Sequence, residues 1–553
     1  MEMLGKGIVS EKNRLWLYLT IIAGSFAQVI MIFPSGLRSQ RGIQFWGAQF
    51  HDGLWHIAIV KKFVNFSFEN PVFAGEKLGN YHYFSDLLVA LVHIITRIDV
   101  FVIYYKILPS VISLSTGFFV FLLSKKLFKS EVAAIWSMFF VFLGSNFAYL
   151  LPFFGLGYPI WETNFWVQQP MSIYSNMPYA LSVPIVLSSI YFLTKYLSGP
   201  RNNYLILSAL LLAIAPATKS FTFFIFPGLF VISLYRVYKN KKFDLLIYFS
   251  CTLLIAILLM LPSLRFSDNF IYEPGWFLKT MIEAPDRMNW QDWSLRYQFY
   301  KSNNDIFNLV RFYITAFVIF FVGNLGTRVL AFVGVYKIRK LPHPEIHFLL
   351  LFSSFLLAIF PMFYLSSGIA WNTIQFYYYF LLFLGIYAGY GTYILLNNTR
   401  TKLYKIGLAI IIILFSIPVD IQTFYFYYSR PTGSYVTYEE LEAFNYLNIN
   451  GDDSDRVLTF PIGASFIHLA AYTGKTVFLG DEITAVLTGH DYRKRLDEIN
   501  SAIEEREGFL KYLRKNKIRW IYDVTSEKSE ILKNGNIKTS FKKGNISIYE
   551  VVF

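Results

Sequence analysis

The segment FHDGLWHIAIVKKF, residues 50–63, carries the most distinctive chemical groups of the sequence. Asp52 and His56 are four residues apart, so a helix would place both side chains on one face. A carboxylate and an imidazole in that arrangement are typical of groups that transfer protons in catalysis. Asp52 has a second interpretation, as the N-cap of a helix that begins at Gly53, since Asp is a favoured cap.

A second group of polar side chains follows in the same loop. His51, Asp52, His56, His82 and Asp86 together offer enough nitrogen and oxygen ligands for a divalent cation such as Mg²⁺ or Mn²⁺, or for an acceptor molecule. Turn-forming residues separate the two halves of this set, so the sequence does not fix their spacing. An aromatic loop at a membrane interface explains the Tyr and His residues equally well.

Two basic residues stand at the ends of apolar runs. Lys219 lies in PATKSFT between two such runs, and Arg265 ends another run at its outer edge. Either cation is suited to a phosphate group, because charge-assisted hydrogen bonds to phosphate are strong. Either is equally typical of a basic side chain that extends from a span end to the lipid headgroups.

The composition indicates a polytopic membrane protein. Hydrophobic residues make up 55% of the 553 residues and charged residues only 16%, with 57 Phe and 39 Tyr. Soluble domains average about 25% charged residues. Residues 1–430 carry a net charge of +16 and residues 431–553 a net charge of −2. The basic excess therefore lies in the membrane part, where it is dispersed over short loops and does not form a nucleic-acid surface.

The apolar runs predict eleven membrane spans, each needing about 20 apolar residues. The runs are 15–33, 102–124, 131–151, 177–197, 203–217, 220–236, 244–262, 306–336 counted once, 346–365, 372–396 and 406–424. The run 306–336 is either one long crossing or a surface helix followed by a crossing.

The distribution of basic residues predicts the orientation. With a cytoplasmic N-terminus, the short inside segments carry 18 Lys and Arg and the short outside segments only Lys219. The long loops 36–101 and 263–305 are then extracytoplasmic, as is the C-terminal part. The segment 84–98 is short and contains Asp86, so we expect a helix on the outer surface of the membrane.

Residues 431–553 predict a separate extracytoplasmic α/β domain. TYEELEAFNYLN and the charged stretch 492–517 have helical patterns. RVLTF, TVFLG, IRWIYDV and ISIYEVV have the composition of strands, with KKGN as a hairpin turn. The single cysteine, Cys251, excludes a disulfide framework.

The layout resembles the GT-C superfamily of integral-membrane glycosyltransferases over nearly the whole chain. The shared features are a first span, a long outer loop with an early acidic residue, surface helices, and the basic turn in LLSKKLFKSEVAAIW. APATKS resembles the turn of bacterial aminoarabinose transferases. FPIGASFIHLAAYTGKTVFLGD and the closing ISIYEV resemble the outer domains of uncharacterised bacterial members.

The resemblance implies an enzyme that transfers a hexose or pentose from a polyprenyl-phosphate donor to a hydroxyl of a glycan, lipid or protein in the cell envelope. It assigns Asp52 as catalytic base or metal ligand, and Lys219 and Arg265 as donor-phosphate ligands. Protein O-mannosyltransferases and aminoarabinose transferases have an Asp-Glu pair where this chain has Asp52-Gly53, a departure that argues against the protein-mannosylating subfamily. A divalent cation is an open expectation, and the donor requires no nucleotide-binding motif.

Other protein classes remain as alternatives at this stage. A secondary transporter or a flippase for lipid-linked oligosaccharides typically shows internal repeats and ionisable residues at mid-membrane, and neither is evident here. A polymerase or ligase of lipid-linked glycans would place arginines in one late outer loop. A non-catalytic assembly partner is equally compatible with the sequence.

Overall fold

The structure is a computed structural model that describes residues 9–263, 270–366, 370–429, 434–505, 507–525, 532 and 535–552. It consists of a large helical membrane part and a C-terminal region built on a sheet, as the sequence predicts. Arg265 falls outside the described residues, so its predicted role stays a prediction.

The membrane part contains eighteen helices among the described residues. They are α1 (Glu11–Ile32), α2 (Asp52–Val64), α3 (Phe84–Thr96), α4 (Val100–Phe128), α5 (Glu131–Leu143), α6 (Met177–Ser198), α7 (Asn202–Thr218), α8 (Phe226–Asn240), α9 (Asp244–Met260), α10 (Trp276–Glu283), α11 (Gln291–Ser302), α12 (Ile306–Leu325), α13 (Ala331–Tyr336), α14 (Pro344–Phe363), α15 (Ala370–Ile374), α16 (Phe376–Asn398), α17 (Lys402–Ser416) and α18 (Pro418–Ser429). Short strands β1 (Leu37–Arg38), β2 (Gly42–Gln44), β3 (Phe270–Tyr272) and β4 (Tyr364–Ser366) lie in its loops.

The number of spans is lower than the eleven predicted from the apolar runs. Within the described ranges, eight helical segments are long and apolar enough to cross a membrane, or up to ten if each bent pair forms one span. One bent pair is α5 with the following 3-10 helix Ala148–Phe154, and the other is α17 with α18. The run 203–217 forms α7, which is too short to be counted. The run 306–336 is one long segment in which a 3-10 turn, Gly326–Leu330, joins α12 to α13.

Helix α16 forms the centre of the membrane part and is buried along most of its length. It packs closely against α5, where the Ser137 hydroxyl donates a hydrogen bond of 2.8 Å to the carbonyl of Ile386. A Cβ added at Gly389 would lie 2.2 Å from the backbone nitrogen of Ser137. This close approach requires glycine, because no larger side chain leaves room for the α5 backbone.

The C-terminal region contains a five-stranded mixed sheet. The sheet is formed by β6 (Arg456–Phe460), β7 (Thr476–Val477), β8 (Ile518–Asp523), β9 (Ile537–Lys543) and β10 (Ile546–Val551), in the spatial order β7-β6-β8-β10-β9. The strand that precedes them in the chain, β5 (Tyr435–Thr437), is not part of this sheet. The helices are α19 (Tyr438–Asn450), α20 (Ile467–Thr473), α21 (Glu482–Leu487), α22 (Tyr492–Glu504) and α23 (Glu507–Lys515). The predicted hairpin is present, with Gly544 at a φ of 54° between β9 and β10.

The first long loop is joined to the C-terminal region by backbone pairing. Strand β2 pairs with β5 in antiparallel register. Gly42 has a φ of 146°, and a Cβ there would lie 1.9 Å from the carbonyl oxygen of Val436. Farther along the loop, the carbonyls of Pro71 and Val72 accept hydrogen bonds of 2.9 Å from the backbone N–H groups of Val477 and Gly480. The loop and the C-terminal region therefore lie on the same side of the membrane part.

We expect labelling of single cysteines to show that this side is extracytoplasmic. In a Cys251→Ser background, Ser454→Cys in the C-terminal region should react with a membrane-impermeant maleimide in intact cells. Lys242→Cys, in the basic turn between α8 and α9, should react only after the membrane is permeabilised, because basic short loops remain in the cytoplasm. The reverse pattern would contradict the orientation predicted from the sequence.

Candidate functional site

The site begins at the first turn of α2. A 3-10 turn, Gly47–Phe50, leads into the helix, which starts at Asp52 and buries its apolar face. Asp52 is not the N-cap: His51 occupies that position, and its side chain makes no capping hydrogen bond. The capping interpretation of Asp52 is therefore wrong. An acidic side chain in the first turn is nevertheless favourable, because the helix N-terminus carries partial positive charge.

Asp52 belongs to a chain of three charged side chains. The His51 ring donates from Nδ1 to Oδ1 of Asp52 over 2.8 Å and from Nε2 to Oδ2 of Asp481 over 3.2 Å. Burial alone would lower the pKa of His51, but the hydrogen bonds and charges of Asp481 and Asp52 outweigh it and raise the pKa to about 10. His51 is thus an imidazolium at neutral pH. The Asp52 side chain is 53% exposed and the Asp481 side chain 5%.

Asp481 comes from the C-terminal region, 430 positions after His51 in the chain. It is the N-cap of α21, and its Oδ1 accepts two hydrogen bonds of 2.8 Å from the N–H and the hydroxyl of Thr484. Burial would raise the pKa of Asp481, but the bond to His51 and the bonds from Thr484 hold it below the usual value. Sequence reasoning missed this residue. The signal in GDEIT predicts a helix cap and contains nothing that points to His51.

Lys219 is buried beside the same loop, in the turn between α7 and the following 3-10 helix. It is 2% exposed, and its ammonium donates a hydrogen bond of 2.6 Å to Oε1 of Gln375. The ammonium also lies 4.7 Å from the ring centre of Phe221. Burial lowers the pKa of Lys219 to about 7, and the charge of Asp52 acts in the opposite direction. Its burial and its hydrogen bond to Gln375 contradict the alternative in which Lys219 extends to the lipid headgroups.

Gln375 is a further residue that the sequence did not reveal. Its Oε1 accepts hydrogen bonds from both Lys219 and the amide of Asn176, the latter over 3.0 Å. Asn176 also caps α6. The carbonyl oxygen of Gln375 thus fixes the Lys219 ammonium without neutralising its charge, which leaves the cation available to an anion.

His56 and Asp86 form a separate, buried pair. Nδ1 of His56 lies 2.9 Å from Oδ1 and 3.1 Å from Oδ2 of Asp86, and Nε2 lies 3.3 Å from the hydroxyl of Tyr81. Burial raises the pKa of Asp86, and His56 opposes that rise. His56, which was predicted to share a helix face with Asp52, and Asp86, which was predicted as a metal or acceptor ligand, therefore hydrogen-bond to each other. Their pairing joins α2 to the surface helix α3.

His82 lies beside this pair. Its ring stacks on that of Tyr81, with centres 4.6 Å apart and planes inclined by 17°. Burial lowers the pKa of His82 well below its usual value, and the charges of Lys219 and His56 add to the effect. His82 is therefore expected to be a neutral imidazole at neutral pH.

The predicted metal ligands do not come together as one group in the described part of the chain, and the divalent cation stays an expectation. No group of three or more His, Cys, Asp and Glu side chains within the described ranges has metal-binding geometry. His51 is hydrogen-bonded to a carboxylate through each of its ring nitrogens. Nδ1 of His56 is engaged by Asp86.

The fold is shared with solved membrane glycosyltransferases. No protein-family model and no curated protein sequence matches the chain. The oligosaccharyltransferase AglB from Archaeoglobus fulgidus, solved with an inhibitory peptide and a dolichol-phosphate, aligns over 93% of this chain and 70% of its own, with 12% identity and a TM-score of 0.52. ArnT from Cupriavidus metallidurans in the apo state aligns over 98% of both chains, with 9% identity and a TM-score of 0.51.

A third structure extends the comparison to a much longer protein. The arabinofuranosyltransferase AftD from Mycobacteria aligns over 98% of this chain but only 42% of its own, with 10% identity and a TM-score of 0.50. These alignments span nearly the whole chain and confirm the GT-C fold and the membrane helices that the sequence predicts. At such low identity they show the fold alone.

Replacement of one partner of the His56–Asp86 pair should destabilise the protein strongly. His56→Leu leaves the buried Asp86 carboxylate without its partner, which typically costs about 3–5 kcal/mol. We expect the thermal unfolding midpoint in detergent to fall more for His56→Leu than for the double variant His56→Leu/Asp86→Leu. If the two residues held a metal instead, a chelator would lower the wild-type midpoint to a similar extent. An unchanged midpoint for His56→Leu would contradict the pairing.

Proposed function

We propose that the protein is a membrane glycosyltransferase that uses a polyprenyl-phosphate sugar as donor and a hydroxyl as acceptor on the extracytoplasmic side. One observation carries the proposal: a GT-C fold presents an exposed carboxylate, Asp52, at the start of a loop helix and a buried ammonium, Lys219, whose hydrogen-bond partner is a neutral amide oxygen. A base that the acceptor can reach and a cation for the departing phosphate are the two groups that this reaction needs.

In this mechanism Asp52 acts as the general base. The acceptor oxygen attacks the anomeric carbon of the donor sugar while Asp52 takes the proton of the hydroxyl. A new bond forms between the acceptor oxygen and the anomeric carbon. The bond from that carbon to the phosphate oxygen breaks, and its electron pair stays on the lipid phosphate.

Lys219 stabilises the charge that grows on this phosphate. A fixed cation in a site of low polarity interacts with a developing anion more strongly than it would in water. Gln375 and Asn176 hold the ammonium in place with no counter-charge in contact, so no ion pair has to be broken when the donor binds. Arg265 is proposed as a second cation for the same phosphate.

The position of the candidate site supports the proposed donor class. Asp52 opens a helix of the first long loop, next to the apolar helices that would hold a polyprenyl chain. AglB, which has the same fold, was solved with a dolichol-phosphate. The proposed acceptors are a glycan, a lipid or a protein of the cell envelope, with hexosyl or pentosyl transfer as the reaction.

The proposal is tested by incubating purified protein with a panel of polyprenyl-phosphate sugars and measuring the release of lipid phosphate. Each assay is run with chelator and with added Mg²⁺ or Mn²⁺, which tests the expected divalent cation. Release that depends on an added acceptor supports the transferase. Movement of intact lipid-linked sugar across proteoliposomes without any release would instead support a flippase.

Asp52→Asn should abolish transfer and leave the protein folded. The amide has nearly the shape of the carboxylate but cannot take the proton, and loss of a general base costs about 10²–10⁴-fold in rate. The matched control is Asp99→Asn. Asp99 lies in the same loop and caps a helix by accepting from the N–H of Phe101 over 2.9 Å. Since Asn caps as well as Asp, the control should keep full activity. Full activity of Asp52→Asn would remove Asp52 as the base.

The pH dependence of kcat/KM for the donor should follow the ionisation of Lys219. Its pKa of about 7 in the free protein means that the charged fraction falls as the pH rises through 7. Because kcat/KM reports groups of the free enzyme, kcat/KM for the donor should decline above about pH 7. Bound phosphate favours the charged form, so kcat at saturating donor should decline only at higher pH. Lys219→Gln should lower kcat/KM and remove this decline. If Lys219→Gln left both the donor affinity and the rate unchanged, Lys219 would be excluded from the site.

A further inference from the structure

The C-terminal region supplies one side chain to the site, and that side chain has two separate functions. Oδ1 of Asp481 caps α21 through both hydrogen-bonding groups of Thr484. Oδ2 is not needed for the cap and is directed at Nε2 of His51. The contact with His51 therefore has no explanation in the local structure of the C-terminal region.

Several contacts fix the position of Asp481 relative to α2. The ammonium of Lys62, on the last turn of α2, is buried and donates a hydrogen bond of 2.6 Å to the hydroxyl of Thr476. The amide of Asn70 donates to the hydroxyl of Thr488, just beyond α21, over 2.9 Å. Together with the backbone pairing at Pro71 and Val72, these bonds hold α21 and α2 as one unit.

We propose that Asp481 is a positioning residue that acts through His51 to orient the Asp52 carboxylate, so that the C-terminal region completes the catalytic site. This inference rests on the proposed role of Asp52 as the base. His51 is the only link in the described contacts between the two carboxylates, and it hydrogen-bonds to each through a different ring nitrogen.

The physical reason is the exposure of Asp52. A half-exposed carboxylate at the first turn of a helix would adopt several rotamers if nothing held it. A charge-assisted hydrogen bond from an imidazolium restricts it to one, and leaves Oδ2 for the acceptor hydroxyl. The ring of His51 is itself fixed only if its second nitrogen has a partner, which Asp481 provides.

The charged groups that act on His51 come from two elements. Asp52 belongs to its own helix, and Asp481 belongs to the C-terminal region packed against it. Without Asp481, one of the two carboxylates that stabilise the imidazolium is lost. The ring would then lose its proton at a lower pH and would be free to turn away from Asp52.

Histidine NMR tests the geometry without an activity assay. The chain has only eight histidines, and loss of one signal in His51→Ala assigns His51. In the wild type, we expect the His51 ring to stay protonated from pH 6 to 9. In Asp481→Ser, which keeps a favoured N-cap but is too short to reach His51, the pKa of His51 should fall by more than one unit. A wild-type His51 that titrates at its ordinary pKa would overturn the proposal.

Kinetics test the positioning role. We expect Asp481→Ser to lower kcat by about 10–100-fold, the range typical of an outer partner of a functional side chain, with the donor KM unchanged. In a His51→Ala background the same substitution should have no further effect, because Asp481 acts through His51. The matched control is Asp491→Asn. Asp491 caps α22 in the same region by accepting from the N–H of Lys494 over 3.0 Å, and the control should have wild-type kcat.

The outcomes separate this inference from the proposed function. Full activity of Asp52→Asn would remove the base and with it the reason for positioning. An inactive Asp52→Asn combined with an Asp481→Ser that keeps full kcat would overturn the positioning role alone. An additional loss from Asp481→Ser in the His51→Ala background would overturn it as well. If Asp481→Ser fails to fold, Asp481→Asn provides the titration, and a His51 ring still protonated at pH 9 would count against the proposal.

Discussion

The placement of charge at a boundary of low polarity is the constraint on which this structure depends. A charged side chain removed from water is costly unless it has a partner. The site meets this requirement in three different ways: an imidazolium between two carboxylates, a His–Asp pair inside the loop, and an ammonium held by an amide oxygen. Among these three arrangements, only the ammonium of Lys219 has a neutral hydrogen-bond partner, Gln375, and no opposite charge in contact. That difference separates the group available to a ligand from the groups that hold the loop together.

The sequence predicted the broad architecture because the signals involved are local. Apolar runs locate the membrane helices, and basic short loops predict their orientation. The KKGN turn predicts the β9–β10 hairpin, since Gly544 supplies the required positive φ. The predicted count of eleven spans is not confirmed, because the run 203–217 forms a helix too short to be counted and apolar length alone does not reveal bends. The run 131–151 contains Gly144 and is followed by Pro152, and the two helices of this stretch meet at an angle of 56°.

The site was predictable only in part, for the opposite reason. Asp52 and Lys219 stand out because charged residues are rare near apolar runs, and both lie in the site. Gln375 and Asn176 do not stand out, because polar uncharged residues are common at span ends. Asp481 has a sufficient local role as the cap of α21, which conceals its contact with His51. Hydrogen bonds between positions 430 residues apart depend on how loop and sheet pack, and no periodic pattern encodes that packing.

The side chains of the candidate site differ in solvent exposure in the way that their proposed roles require. Asp481 and Lys219 are buried, whereas Asp52 is half-exposed. A group that transfers a proton must be reached by the substrate, while the groups that orient it or balance charge act more strongly when water is excluded. A carboxylate that served only to hold the loop would be expected in the buried position that Asp86 occupies. The exposed position of Asp52, beside the His51 ring, is the one that the proposed role of general base requires.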